Sequence, residues 1–243
     1  MEALSRKQRE IAQREGRILA VARRMLKERG YLGLSMDAIA AELDYSKGTI
    51  YNHFSCKEEI IIALAIETMD KRSEMFEKAA RQVGPSRVRM AAIGVASELF
   101  VRLYPDHFEV EQLIRSSSIW DKTSETRRLR MHEGESRCMG IVAGIVRAGI
   151  AEAEIELPDD MAPEDLVFGL WSLSFGAYSI IVTTESLQEH GVRDPYLAVR
   201  RNINILLDGF PWNPVSTEFD YLELFDQMVG DVFPEEYQRI SAA

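Results

Sequence analysis

Apolar residues along this chain recur every three or four positions, the spacing that places them on one face of an α-helix. The first such stripe covers residues 8–29 and stops at Gly30, a residue type that commonly follows the last turn of a helix. Ser35 and Ser46 each precede a further short apolar stripe, and serine hydroxyls cap helix N-termini well. The amino end therefore predicts three helices, with a tight turn at Asp44 between the second and the third.

The rest of the chain is also predicted to be helical. No stretch alternates apolar and polar residues in the manner of a strand, and no Asn-Gly or Asp-Gly hairpin signal occurs. Further helices are expected at 55–80, 87–104, 108–116, 122–149, 163–190, 195–207, 219–229 and 234–240. The sequence thus predicts an all-α protein in which a three-helix head is joined through one long helix to a larger helical body, with the division between residues 1–57 and 58–243.

One segment has the length and composition of a membrane span. From Leu166 to Thr184 the chain carries no charge over a length close to that of a bilayer. The segment contains Ser, Thr and Gly, and its flanks are acidic instead of rich in Lys and Arg. We therefore expect a buried helix of a soluble protein and no membrane partner. The charged N-terminus lacks a signal-peptide core and only two cysteines occur, so we expect a cytoplasmic protein.

The distribution of charge changes the picture that the net charge gives. A net charge of −10 argues by itself against a nucleic-acid partner. Residues 1–57, however, carry eleven Lys and Arg against seven Asp and Glu, which is a net charge of +4. The remainder is strongly acidic. A basic head on an acidic body indicates that only the head meets a polyanion.

The third predicted helix combines a small apolar face with a polar one. Ile50 and Phe54, one turn apart, face the core of the head. The opposite side is polar, and a helix N-terminus with an adjacent Lys suits phosphate groups. Gly48 would let DNA approach the backbone, while Thr and Asn side chains could contact bases. Ser35 and Lys57 could hold flanking phosphates. The candidate DNA-contacting residues are Ser35, Tyr45, Ser46, Lys47, Gly48, Thr49, Tyr51, Asn52, His53 and Lys57.

Other interpretations of these residues stay open at this point. Polar residues on an exposed helix are most often only solvated surface, and a head that docks onto a protein is an alternative. An enzyme is a weaker alternative because the chain contains no GxSxG, GxxxxGK[ST] or HExxH motif. His132, Glu135 and Cys138 share a predicted helix, but only the first two share a face, so we expect neither a metal site nor a cofactor.

The segment LSMDAIAAELDYSKGTIYNHFSCKEEIIIAL resembles the DNA-binding motif of the TetR family of bacterial transcriptional regulators. The matching residues are Ser35, Ile39, Ala40, Ser46, Gly48, Thr49, Ile50, Tyr51, His53, Phe54, Lys57 and Glu58. Asp44 departs from the glycine that this family usually has in the turn, but Asp tolerates a left-handed backbone better than most residues. The resemblance implies an all-helical homodimer, one operator half-site per head, an effector pocket in the body, and repression as the default outcome.

Two helices of the body are candidates for dimerisation. Small residues recur at spacings of three and four in the helix that starts at Pro163, which would let another helix approach closely. The following helix has an apolar face of its own. We expect both to pair with their copies in a second subunit as a four-helix bundle, the alternative being burial within one subunit. The candidate interface residues are Gly169, Ser172, Gly176, Ser179, Tyr196, Val199, Ile203, Leu206 and Phe210.

Aromatic residues with a few polar neighbours in the body suit a small, mostly apolar effector that has one anionic or hydrogen-bonding end. Burial in an ordinary core is the alternative for each of them. Effector binding would swing the helix from Ser55 to Ala80 and change the distance between the two heads of the dimer. The candidate pocket residues are Phe100, Tyr104, His107, Phe108, Gln112, Arg115, Trp120, His132, Trp171, Phe175 and Tyr178.

Overall fold

A computed structural model describes residues 5–115 and 117–241, and every regular element within these ranges is a helix. The all-α prediction is therefore confirmed. In chain order the helices are α1 (Arg6–Gly33), α2 (Met36–Leu43), α3 (Lys47–Tyr51), α4 (Lys57–Ala80), α5 (Ser86–Leu103), α6 (Pro105–Leu113), α7 (Ser117–Trp120), α8 (Glu125–Ala151), α9 (Pro163–Thr183), α10 (Pro195–Asp208), α11 (Tyr221–Val232) and α12 (Pro234–Ser241).

The observed helices differ from the predicted ones at several points. Helix α6 begins at Pro105, three residues before the expected start, because proline is well tolerated in the first turn of a helix. The single turn of α7 was not expected. Helix α9 ends at Thr183 and not near residue 190, since Thr184 adopts an extended backbone with φ −114° and ψ 114°. The chain then turns until Gly191, which has φ 84°.

The first helix changes direction where the sequence predicted its end. Gly30 has φ 64° and ψ −178°, so the backbone leaves the helical conformation there before one last turn reaches Gly33. An L-residue with a side chain would be strained at this positive φ. Gly30 therefore sets the angle at which the chain leaves the long helix and enters α2.

The described chain divides into two compact units. One unit comprises residues up to Met69 together with Asp106–Glu133, and the other comprises Asp70–Pro105 together with the chain from Gly134 onward. Helices α4 and α8 each contribute residues to both units. The three-helix head thus shares its unit with a segment that lies some fifty residues further along the chain.

In the first unit, α2 packs against both α1 and α3. Its core consists of the apolar faces that the sequence pattern marked. Ile18 and Ala22 of α1, Ile39 of α2, and Ile50 of α3 are all fully buried. Because α3 has only five residues, this packing is what holds it in helical form.

In the second unit, the C-terminal helices α11 and α12 pack against α5, and α9 packs against α10. Trp212, which follows α10, is fully buried and its Nε1 donates a hydrogen bond to Ser86 Oγ at 2.7 Å. Buried Arg87 donates a hydrogen bond to Asn204 Oδ1 at 3.0 Å and lies 4.4 Å from the ring centroid of Tyr221. These contacts attach the C-terminal segment firmly to α5.

Candidate nucleic-acid interface

The turn between α2 and α3 has the conformation that the sequence predicted. Asp44 is left-handed, with φ 55° and ψ 39°. The N–H of Tyr45 donates to the carbonyl of Ala40 at 2.9 Å, which satisfies a free carbonyl at the end of α2. Asp44 therefore replaces the expected glycine without loss of the turn.

Helix α3 is oriented by its cap and by its two apolar residues. Ser46 Oγ accepts the N–H of Thr49 at 3.1 Å and is hydrogen bonded to Thr49 Oγ1 at 2.8 Å. Ile50 is fully buried and Phe54 nearly so. With these two side chains pointing inward, the polar side of α3 faces outward.

On the exposed side of α3, the backbone is accessible to another molecule. Lys47, Gly48, Tyr51 and Asn52 are exposed, as is the cap Ser46. A Cβ built on Gly48 would meet only Ser46 Oγ, at an ordinary contact distance of 3.8 Å. Nothing described in the chain therefore requires glycine at this position. Of the other candidates on this segment, Tyr45, Thr49 and His53 are half-buried.

Lys47 is already paired in the free chain. Its Nζ lies 2.6 Å from Asp37 Oδ2 in the first turn of α2, and both side chains are largely exposed. The hydrogen bond to Asp37 raises the pKa of Lys47, so the amine stays charged. A solvated pair of this kind is weak, and a phosphate group can compete for the lysine. Ser35, the cap of α2, accepts the N–H of Ala38 at 3.1 Å.

Lys57 is held in place by Tyr31. Its Nζ lies 4.0 Å from the ring centroid of Tyr31 and donates to the carbonyl oxygen of the same residue at 3.2 Å. The phenol donates in turn to Glu58 Oε1 at 3.0 Å. Burial and this hydrogen bond raise the pKa of Tyr31 to about 12. The lysine that we expected to hold a phosphate is therefore oriented by an aromatic residue that the sequence analysis missed.

Glu58 and Glu59, at the start of α4, are both buried. Burial by itself would raise the pKa of Glu58, but hydrogen bonds from Lys122, its own backbone N–H, Tyr31 and Cys56 outweigh it and lower the pKa to about 2. Lys122 Nζ lies 2.8 Å from Glu58 Oε1, and Arg127 Nε lies 2.5 Å from Glu59 Oε2. Neither basic residue was predicted to take part, because no local pattern links residues more than sixty positions apart.

The candidate dimer residues differ in how far their own chain covers them. Ser172 is exposed, and the others except Val199 are partly exposed. Val199 is only 5% exposed and belongs to the core of its own chain. We expected the uncharged segment from Leu166 to Thr184 to be a buried helix, but the described chain by itself buries only 22% of the most apolar part of α9. By length and composition α9 is also the one described helix that could span a bilayer.

The candidate pocket residues fall in both units. The first unit contains His107, Phe108, Gln112, Arg115, Trp120 and His132, and the second contains Phe100, Tyr104, Trp171, Phe175 and Tyr178. Phe100, Phe108 and Tyr178 are buried, whereas Arg115, Trp171 and His132 are exposed. Thr68 Oγ1 lies 2.9 Å from His107 Nδ1, and Trp120 donates to the carbonyl of Ile114 at 2.6 Å.

Comparison with known proteins agrees with this geometry. Residues 18–64 match the family described as bacterial regulatory proteins, tetR family. The chain is 27% identical over 183 residues to the fatty acid metabolism regulator protein of Bacillus subtilis, covering 71% of this chain and 90% of that protein. It is 24% identical over 194 residues to the transcriptional activator FasR of Mycolicibacterium smegmatis, covering 72% and 87% of the two chains.

A solved tetR-family structure from Rhodococcus RHA1 has the same fold. It superposes with a TM-score of 0.62 at 20% sequence identity, and the match covers 81% of this chain and 96% of that one. The matched residues 18–64 contain the capped helix α3, the turn at Asp44 and the start of α4. Residues 18–64 at the amino end are thus a helix-turn-helix DNA-binding segment of the tetR type, and the chain as a whole is similar to TetR-family transcriptional regulators.

Proposed function

We propose that the protein is a ligand-responsive repressor that binds a palindromic operator as a homodimer. The observation that carries this proposal is the outward polar face of α3, with glycine at a position where the chain itself would accept a side chain. Glycine inside a helix costs about 1 kcal/mol relative to alanine. A duplex that approaches the backbone at Gly48 gives a reason for this cost.

DNA contact is assigned to the ten candidate residues between Ser35 and Lys57. In this proposal Lys47, Tyr51 and the N-terminus of α3 hold phosphates, while Asn52 and Thr49 contact base edges. The functional division remains 1–57 for DNA contact and 58–243 for effector binding and dimerisation. The compact units of the structure are divided elsewhere, since residues 106–133 belong with the amino-terminal part.

Exposed apolar residues on α9 support the dimer. Phe168 is 58% exposed, Trp171 is 38% exposed, and Val182 is 43% exposed. They lie on one side of the helix, beside the small residues Ser172 and Ser179. Such a surface is unfavourable in water unless another molecule covers it. Ser179 Oγ is buried without a hydrogen-bond partner in the described part of the chain, and a second copy would supply one.

A second copy explains α9 better than a bilayer does. Small and hydroxyl-bearing residues between the large apolar ones let two helices approach closely, as in a four-helix bundle. The segments on either side of α9 are acidic, which does not favour insertion next to anionic lipids. We therefore propose that α9 and α10 form the interface, without the buried Val199. The protein is proposed to act in the cytoplasm.

The effector is proposed to be a small, largely apolar molecule. The B. subtilis relative is described as a regulator of fatty acid metabolism, which is consistent with a ligand of this class. Aromatic candidates of the second unit, Phe100 and Tyr178 among them, would contact its apolar part. Because α4 contributes residues to both units, a shift of this helix is the proposed route from effector to head.

Selection of bound duplexes from a random pool tests the DNA-binding part of the proposal. A selected duplex should lose most of its affinity for the protein when Lys47 and Tyr51 are both changed to Ala, while the variant keeps its helicity and oligomeric state. Affinity should also fall steeply with rising salt, since phosphate contacts release counterions. Salt-independent binding, or a double variant that binds normally, would favour a protein-docking head instead.

A further inference from the structure

Two carboxylates stand beside the proposed phosphate contact at the start of α4. Glu58 and Glu59 follow Lys57 directly, and they are only 4% and 5% exposed. Acidic residues in the first turn stabilise a helix through its dipole. The same charges repel a DNA phosphate that approaches this end of α4. Binding of DNA here therefore requires cations that neutralise both carboxylates from the protein side.

The segment from Lys122 to Arg127 supplies these cations. Lys122 pairs with Glu58, and Arg127 pairs with Glu59. The N–H of Ser124 also donates to Glu59, and the thiol of Cys56 donates to the carbonyl of Lys122 at 3.5 Å. Both side-chain and backbone groups thus attach this segment to the start of α4.

Arg127 connects further parts of the head. Its guanidinium carbon lies 4.6 Å from the ring centroid of Phe54, the buried residue between α3 and α4. A terminal nitrogen of the same guanidinium lies 3.1 Å from Glu15 Oε1 on α1. The Arg127 side chain is only 17% exposed, so these contacts are partly shielded from solvent. Arg127 therefore contacts α1, α4 and the short connection between α3 and α4.

We propose that Lys122 and Arg127 are positioning residues for DNA binding. They neutralise Glu58 and Glu59 and fix α3 and the start of α4 in the orientation that meets the duplex. This inference rests on the proposed function. It extends the DNA-binding machinery to residues that lie far outside the helix-turn-helix sequence and that contact no DNA themselves.

The decisive variant is Arg127→Gln, compared with Arg130→Gln. Both substitutions remove one positive charge from α8, but Arg130 is exposed and serves as the control. Removing one member of a shielded ion pair leaves an uncompensated charge, so Arg127→Gln should weaken binding to a selected duplex about tenfold or more. Arg130→Gln should change this affinity by no more than about twofold, as expected for an exposed surface charge.

Two further measurements distinguish a role of Arg127 in positioning α3 from a role in the stability of the fold. A loss of folded protein lowers the affinities for selected and random duplexes equally, whereas a misplaced α3 lowers their ratio. The double variant Glu59→Gln with Arg127→Gln should bind the selected duplex more tightly than Arg127→Gln alone, because the unpaired charge is gone. An unchanged affinity ratio, or no gain in the double variant, overturns the inference.

Amide hydrogen exchange of the full chain tests the positioning role without DNA. Amides of residues 46–60 should exchange faster in Arg127→Gln than in the wild type, and at the wild-type rate in Arg130→Gln. If these amides are equally protected in both variants, the inference fails by itself. A wild-type protein that retains no duplex from the pool overturns the proposed function, and with it the role in DNA binding.

Discussion

At Gly48 the backbone of α3 lacks a side chain on a face that its own chain leaves open. The φ angle there is not in the left-handed region, and a Cβ would make only one ordinary contact. Neither conformation nor internal packing explains the glycine. Residues such as Ile50 and Phe54 on the opposite side are explained fully by burial. The proposed contact with DNA would supply a reason for the glycine that the chain itself does not.

Replacing Gly48 with Ala should separate folding from binding. The variant should be as stable as the wild type or more stable by up to about 1 kcal/mol, because alanine favours the helix. Its affinity for a selected duplex should fall by roughly tenfold or more, since a methyl group would hold the backbone away from DNA. Thermal unfolding and fluorescence anisotropy measure the two effects.

Gly140→Ala in α8 is the matched control. A Cβ there also meets nothing within 4 Å, and the residue belongs to the second unit. This control should keep the wild-type affinity for DNA. Equal affinities of the two alanine variants would contradict close approach at Gly48.

Glu58 should contribute a pH-dependent part of the stability. Its folded pKa of about 2 is lower than that of an unfolded glutamate, so its carboxylate stabilises the fold fully above about pH 4.5. The contribution, on the order of 3 kcal/mol, is lost as the pH falls through the folded pKa. In Glu58→Gln, the free energy of unfolding should vary less between pH 4.5 and 2 than in the wild type. Identical slopes in acid titrations followed by circular dichroism would refute this assignment.

At the scale of elements, α9 is a long helix that is mostly apolar and that its own chain covers only in small part. Helix α5 buries residues on most of its turns, whereas α9 leaves Phe168, Trp171 and Val182 in contact with solvent. The ring centroid of Trp171 lies 6.0 Å from that of Phe168 and 6.2 Å from that of Phe175. An aromatic row on an exposed helix is typical of an interface.

A charge on this row should dissociate the proposed dimer. Phe168→Glu should weaken self-association by about a hundredfold or more, because the interface would bury an unpaired carboxylate. The fold should persist, since the side chain is already 58% exposed. Val83→Glu is the control, as Val83 is 94% exposed and lies outside α9 and α10. Light scattering after size exclusion should find a monomer only for the first variant.

Across the whole molecule, the chain combines a basic DNA-binding segment with an acidic remainder. Its net charge of −10 therefore says little about the local potential near α3, since charges separated by more than a Debye length are screened. A single α3 of five residues can contact only a few base pairs. Two copies held by one dimer would provide the specificity that one copy lacks.

The selected operator should show the symmetry of this arrangement. We expect two inverted half-sites whose centres are about 34 Å apart or slightly further, so that both α3 helices enter major grooves on one side of the duplex. Phe168→Glu should bind such a duplex much more weakly than the wild type, with each half-site recognised independently. Selection that yields a single asymmetric site would contradict a symmetric dimer.

Local features of the chain were predictable wherever they depend on neighbours in sequence. The break at Gly30, the left-handed Asp44 and the cap at Ser46 follow from the conformational preferences of single residues. The polar face of α3 follows from periodicity alone. The end of α9 was missed, because nothing in the sequence before Gly191 marks the extended backbone at Thr184.

The amino-acid sequence alone determined that this protein is all-α and that a capped helix-turn-helix lies at its amino end, because these properties arise within a few turns of chain. Only the tertiary structure decided that Tyr31 orients Lys57, that Lys122 and Arg127 neutralise Glu58 and Glu59, and that α9 stays exposed. Pairing between distant residues depends on how helices pack, and burial depends on what covers a face. Helical periodicity reports that a face is apolar, but it does not report which surface covers it.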